Sequence, residues 1–417
     1  GGTNRFWTGD GGNALASNTN NWRDGRAPGA ADYVVLDGAA AAITWDAGVD
    51  GLSDTVSRWT QLEDYAGTVT FRTVYPGQGD FTNFVISGDA VLANGTWTHV
   101  QNSGTQIYRL AVEVGGDFEV AANSRLNAAG LGFYLAGPGY APLVDGYSYG
   151  SAAHGGQGGR QNESFVHATN IYGSVFAPID LGSGSANPRS RGGGAVLLVV
   201  GGILKLEGTI TADAQTAYPS GGSVFITAGG LVGSGAIQAS NPSSDSYASG
   251  GGGRVAVIFA KPEASFADFT GIIRANSING NANRRGAAGT VYLETASDKP
   301  RGGTLVIDNQ SQIPTFYTTL PPADGINREN SLALTATGRL RLTRNLALSD
   351  LALATGARLD LAGRQVTVGG ALAVAGETDY KPGIYPASAF GAEVEDTSDP
   401  ATGAIIIPSA GTVLLLR

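Results

Sequence analysis

The chain has 417 residues, with glycine at 64 positions, a formal net charge of −9, and neither cysteine nor methionine. The acidic balance argues against nucleic acid or an anionic membrane surface as a partner. Without thiols there is no disulfide framework and no thiolate metal site. Glycine is at about twice its usual share of roughly 7%, yet 42% of the residues are apolar, so the glycines punctuate a packed chain.

Translation starts on Met, so Gly1 is not expected to be the first residue of the primary product. A cleaved N-terminal secretion signal is the expectation, and with it an extracellular or cell-surface location. No apolar run approaches the roughly 18 residues of a membrane span. The longest, Ala195 to Leu204, is interrupted by Gly201-Gly202.

Residues 1–105 form an aromatic-rich N-terminal β region or cap. All 5 tryptophans lie here: Trp7, Trp22, Trp45, Trp59 and Trp97. Tyr33-Val-Val-Leu36, Ile43-Thr-Trp45, Thr68-Val-Thr-Phe71 and Phe84-Val-Ile86 read as strands, with turns at Pro28-Gly29 and Pro76-Gly77. The tryptophans are expected in the core; stacking on sugar rings is the weaker alternative. Phe6-Trp7-Thr8-Gly9-Asp10-Gly11-Gly12, Asn21-Trp22 and the run from Ala27-Pro28-Gly29 to Asp37-Gly38 resemble the opening of secreted bacterial β-helical passenger-type proteins, which occur with autotransporter-like repeats.

Residues 106–300 carry a repeating unit, clearest at Gly192 to Ala212. A Gly-rich loop leads into an apolar strand ending at Val200, a Gly-Gly corner, a strand over Ile203–Leu206 and another around Ile210. The order recurs from Leu110, from Ser223 and from Arg254. The last strand always places Ile or Leu two residues before Ala: Leu126/Ala128, Ile210/Ala212, Ile237/Ala239, Ile273/Ala275. Short strands joined by glycine corners, with no helix between, predict stacked rungs in which glycine supplies positive φ at the turns. Two excursions interrupt the repeats, Gly130 to Gly194 and Asn276 to Gly289. The first contains His154-Gly-Gly-Gln-Gly-Gly-Arg160, Tyr172-Gly-Ser174 and Pro178-Ile-Asp-Leu-Gly-Ser-Gly184, which resembles a module of large secreted bacterial surface proteins.

Residues 301–417 change to i,i+2 apolar pairs: Leu332/Leu334, Leu340/Leu342, Leu346/Leu348, Leu351/Leu353, Leu359/Leu361, Val366/Val368 and Leu372/Val374. Each pair points to one side of a strand, predicting roughly two further solenoid turns followed by terminal strands. Gly356 to Gly370 and Pro382-Gly-Ile-Tyr-Pro-Ala387 are similar to closing segments of autotransporter-associated strand repeats. The fold expected is all-β: a right-handed parallel β-helix (β-solenoid) with long Gly-rich loop excursions.

Chemistry-bearing residues are sparse. There are 3 histidines, His99, His154 and His167. His154 and Arg160 share the long excursion with Tyr147 and Tyr149, the best base-plus-cation group for a polysaccharide lyase; a Gly-rich surface loop holding its own fold is the stronger reading. Glu113, Asp117, Glu119 and Glu207 could pair for glycoside hydrolysis, but as outward strand residues they are expected to keep the surface soluble. Asp10-Gly11, Asp145-Gly146 and Asp324-Gly325 are turns that could bind calcium. Asn94, Asn162 and Asn309 stand in glycosylation sequons expected by chance.

The expected function is a secreted, non-enzymatic structural protein of the cell surface or extracellular matrix, with no cofactor, no metal and no catalytic residue. The alternative is a carbohydrate-active enzyme or carbohydrate-binding module on a β-helix. The expected partners are further copies of the chain and a surface polysaccharide. Phe6 and Trp7 near one end, and Ile405, Ile406, Val413, Leu414, Leu415 and Leu416 near the other, are the candidate interface for head-to-tail filaments.

Overall fold

The computed structural model describes residues 2–38, 42–144, 148–160, 167–188, 190–242, 247–278, 281–310, 312–321 and 324–409. Strands dominate, and the only helical pieces among these residues are 3-10 segments such as Thr19–Asn21 and Phe266–Asp268. The strands expected at Tyr33–Leu36, Ile43–Trp45, Thr68–Phe71 and Phe84–Ile86 form with those boundaries. As far as Thr290–Glu294, the strands of the two large sheets pair in parallel with strands from other repeats.

The seven-stranded sheet shows the rule. Its ladder aligns Ile43, Val69, Trp97, Leu126, Ile210, Ile237 and Ile273. The Ile/Leu-x-Ala register therefore holds through every repeat, the interrupted one included. Side chains alternate across a strand, so the neighbours of these residues form an outward row of Thr44, Thr70, Thr98, Asn127, Thr211 and Gln238. A 16-stranded sheet closes the remaining sides, with rungs such as Val114–Val200–Ala228 and Val120–Leu206.

All five tryptophans are buried, from 0% to 3% exposed. Trp7, Trp22, Trp45, Trp59, Trp97 and Phe118 form a column with successive ring centroids 5.2–6.2 Å apart. They are core, and none presents a ring face for a sugar.

The glycine corners differ from expectation. Ala195–Leu206 is one continuous strand running through Gly201-Gly202, with a register shift between Val200 and Ile203, and Ser223–Val232 likewise runs through Gly229-Gly230. Neither glycine pair has a positive φ. Close approach is the reason for glycine here: a Cβ on Gly201 would strike the carbonyl of Gly115, and one on Gly229 the carbonyl of Gly202. The loop glycines obey the same constraint in a layer bonded backbone to backbone. Gly221 N donates to Gly251 O (3.1 Å), Gly251 N to Ala152 O (2.9 Å), Gly252 N to Ala287 O (3.0 Å) and Gly155 N to Gly252 O (3.0 Å). Side chains would hold these strands of backbone apart.

The parallel order stops at Thr290–Glu294, which pairs antiparallel with Thr304–Ile307. The interior changes face at this seam. Val255, Val257 and Val291 belong to a first core that begins at Trp7. Ala256 and Tyr292, on the opposite face, belong to a second core with Leu305 and Ile307. The strands after this seam form a second stack, whose core lies on the opposite face of the first sheet. Its ladders are Leu305–Leu332–Leu351–Leu372, Leu340–Leu359–Val394 and Leu346–Val366–Ile405. Leu340, Leu342, Leu359, Leu361, Val366 and Val368 are all buried, as the i,i+2 pattern predicts.

The long excursion braces the two stacks. Val175 and Phe176 enter the second core, and the Phe176 ring meets Tyr292 at 4.8 Å, edge to face. Burying one Phe contributes about 1.5–3 kcal/mol, so this segment is far from the surface loop that its glycine content suggests.

Candidate functional site

Arg254 opens its strand at a ladder position held elsewhere by Ala195, Ser223 and Thr290. It is fully buried. Its Nε donates to Tyr172 O (2.8 Å) and its Nη1 to Thr290 Oγ1 (2.8 Å). Burial lowers its pKa to about 10, opposed by Tyr172, Asp180 and Asp324.

The excursion lays His154 against this arginine. His154 is 0% exposed and stacks on Tyr172 at 4.4 Å, with Nδ1 2.8 Å from Gly221 O. The carbonyl can only accept, so Nδ1 carries the proton and Nε2 is bare. Burial, reinforced by the charge of Arg254, pushes the imidazole down to about 3. The Tyr172 hydroxyl donates to Leu181 O (2.6 Å) and lies 2.8 Å from Ser183 Oγ, and burial holds its pKa well above the usual phenol value. Burial also raises Asp180. These groups converge around Gly173, whose φ is +78°. A Cβ there would sit 2.9 Å from Asp180 Oδ2, 3.3 Å from His154 Nε2 and 3.6 Å from Arg254 Nε.

The cluster joins a base, a cation, a phenol and a carboxylate; burial moves the imidazole and the phenol away from proton transfer near neutral pH, and moves the Asp180 carboxyl up. An imidazole at about 3 is a weak base, and a phenol held high is a weak acid. The chemistry the arrangement does perform is adhesion between the excursion and the sheet beneath it, through hydrogen bonds from buried, charged or polar groups.

No protein-family model, curated protein or solved structure matches the chain.

The sequence pairing of His154 with Arg160 is not what the fold brings together. The Arg160 guanidinium lies 5.1 Å above the Phe316 ring, and His167 stacks on that ring at 4.4 Å. Tyr147, Asn162 and Asp145 lie outside the described residues, as does the side chain of Tyr149. His99 is buried in the first core, its Nδ1 2.8 Å from Val100 O, and is held at about 4 by burial. Arg254, Tyr172 and Asp180 stand in the sequence motifs quoted above, but the sequence did not mark them as site residues. The one available signal was an arginine in a ladder position otherwise small.

Of the candidate carboxylates, Glu119 and Glu207 both act on Lys205, and each of the four has its own polar partner. Glu119 pairs with Lys205 at 2.9 Å, Glu207 accepts from Ser234 Oγ at 2.6 Å, and Asp117 Oδ1 accepts from Ile203 N at 2.7 Å. Glu113 is exposed and accepts from Asn83 at 3.4 Å. Asp324 is bonded by Arg344, and among the described residues no group of three acidic, His or Cys side chains is placed to hold a metal ion.

At the chain ends, Trp7 is 3% exposed within the aromatic column and Phe6 is half-buried beneath the Arg23 guanidinium, 4.1 Å from its ring. A polar cap of Asn13, Ser17, Asn18, Asn21 and Asp46 closes this end. Asp46 takes both Ser17 N (3.0 Å) and Ser17 Oγ (2.7 Å), and Trp22 Nε1 donates to Ala16 O (2.8 Å). The expected apolar acceptor is therefore covered by the chain itself. Ile405 is buried in the second core and Ile406 is half-buried opposite Ile384. Val413, Leu414, Leu415 and Leu416 lie outside the described residues.

Proposed function

We propose that this chain is a secreted, non-enzymatic structural protein of the cell surface or extracellular matrix, built as a right-handed parallel β-helix. The carrying observation is the role of the His154–Tyr172–Arg254 group. The most reactive combination in the described structure is buried between the excursion and the sheet, its donors directed at backbone carbonyls and Thr290. The outward row from Thr44 to Gln238, polar and uncharged until it reaches Arg274, supports the same reading. The right-handed sense rests on the strong preference for right-handed crossovers between parallel strands of one sheet. The likeness of its opening and closing segments to secreted passenger-type proteins supports a location outside the cell.

The test is depolymerisation of a panel of neutral and acidic polysaccharides, read by release of reducing ends and of unsaturated products. The expected outcome is no turnover. Turnover that Arg160→Ala abolishes, with the thermal transition unchanged, would overturn the structural reading.

A further inference from the structure

We propose that the second stack carries a binding site for the carboxylate-bearing ring of an acidic sugar. The site is a cavity of about 440 Å³ between the turn at 324–330 and the strand Leu346–Leu348. That volume lies within the usual range for small-ligand sites.

Its floor is apolar: Ile326, Leu346 and Ala347. Its polar walls are Arg328, Arg344 and Asn345. Arg344 is pre-oriented, because its Nη2 is held by Asp324, whose side chain is 0% exposed, and its Nη1 donates to Asn345 O at 3.1 Å. A guanidinium has five N–H donors, so donors remain for a ligand. Arg328 is 83% exposed and only loosely tied to Glu329, at 3.4 Å, while Glu329 is taken more closely by Lys299, at 2.6 Å. Arg328, Arg344 and Lys299 against Asp324 and Glu329 leave positive charge in excess, in a chain whose net charge is −9.

The backbone adds to the site. Leu346–Leu348 is an edge strand of its four-stranded sheet. Gly369 N donates to Leu348 O at 2.9 Å, and Leu348 aligns with Val368. Alternation along a parallel ladder then directs Leu346 and Leu348 toward the next strand and the N–H and C=O of Ala347 toward the open edge. A sugar acid fits this set: its C–H face covers Leu346 and Ala347, its carboxylate meets the guanidinium groups, and its hydroxyls meet the Ala347 backbone and the Asn345 amide. A neutral sugar leaves the cations unused, and a simple carboxylate leaves the floor uncovered.

The experiment is titration of the full chain with D-galacturonate and its short oligomers, followed by calorimetry and by amide shifts of Ala347 and Asn345. D-Glucose, acetate and polyglutamate are the comparison ligands. Saturable galacturonate binding is expected, at least about tenfold tighter than glucose or acetate, and weakened by added salt. Arg328→Ala is expected to lose about tenfold, the size of one charge-assisted hydrogen bond, with Arg328→Lys recovering part of it and the thermal transition unchanged. The proposal is overturned by the absence of saturable binding, by acetate or polyglutamate binding as tightly as galacturonate, or by an unchanged affinity in Arg328→Ala.

Discussion

Two residue types set the tolerances of this protein, and both act through burial. Glycine does so by what it lacks. At Gly252 a Cβ would run into the carbonyl of Ala275 and the N–H of Gly289, whereas at Gly104 it would meet nothing within 4 Å. Neither has a positive φ, so the comparison isolates space from backbone strain. Gly252→Ala is expected to destabilise by about 1–3 kcal/mol, as overpacking does, and Gly104→Ala to change stability by less than about 0.5 kcal/mol. Chemical denaturation of the two variants checks this. Histidine acts by staying neutral. Burial lowers His99 to about 4 and His154 to about 3, below the ordinary value near 6.5. Between those values the unfolded chain binds protons that the folded chain refuses, so stability rises with pH. Their contribution is complete above about pH 6.5 and is lost as pH falls, toward 4 for His99 (at most about 3 kcal/mol) and toward 3 for His154 (at most about 5 kcal/mol), at 1.36 kcal/mol per unit. Asp180 and Asp213, which burial raises, hold protons more tightly when folded and offset part of the loss in the carboxylate range. The denaturation midpoint should therefore fall from pH 7 to pH 5; a midpoint that is flat or rising over that interval refutes the assignment of two buried neutral imidazoles.

Elements were legible in the sequence wherever one face is apolar and the other polar. Thr68-Val-Thr-Phe71 and the Ile210/Ala212 unit alternate cleanly, and their register follows, since a one-residue slip would turn Val69 or Ile210 to the solvent. The seam was illegible for the opposite reason. Arg254–Phe259 and Thr290–Glu294 bury side chains on both faces. Alternation there cannot say which side is interior, nor that a second core begins on the outer one. The corners failed for a different cause. A Gly-Gly pair reads as a turn because glycine tolerates positive φ, but the same pair is demanded where backbones stack within contact distance, as at Gly201 on Gly115. The long excursion was misjudged from composition alone. Its glycines fit a surface loop, while the residues that bind it down, His154, Tyr172 and Phe176, are spread between them. The partners that fix their burial, Arg254 and Tyr292, come from strands far along the chain, and no local pattern links them.

At the scale of the molecule, the two ends differ. The first stack carries its own polar cap, with Arg5 held between Asp24 and Asp32 and Trp22 tied to Ala16, and such a cap hinders edge-to-edge pairing of strands. At the other end, Gly383–Pro386 is the edge strand of its sheet, and Ile384 is 71% exposed. Pro382 and Pro386 flank it, however, and proline shortens any row of free donors. Self-association through main-chain addition at this edge is therefore limited to Ile384 and Tyr385. Further along the sequence, Val413-Leu-Leu-Leu416 is an uncharged apolar run. We propose that copies associate through that run, which on another copy would meet the exposed Ile384 and the half-buried Tyr380, Tyr385 and Phe390. A contact of this kind would join different surfaces on the two copies, and where the rotation does not close it would give open chains. The expected outcome is concentration-dependent growth in light scattering for the full chain, lost on deletion of residues 411–417 and weakened by Ile384→Lys. Trp7 is buried, so changes at the exposed rim of the N-terminal cap, such as Asn20→Ala, should leave growth unchanged. A full chain that stays monomeric at high concentration, or filaments that persist after the deletion, rules out this mechanism.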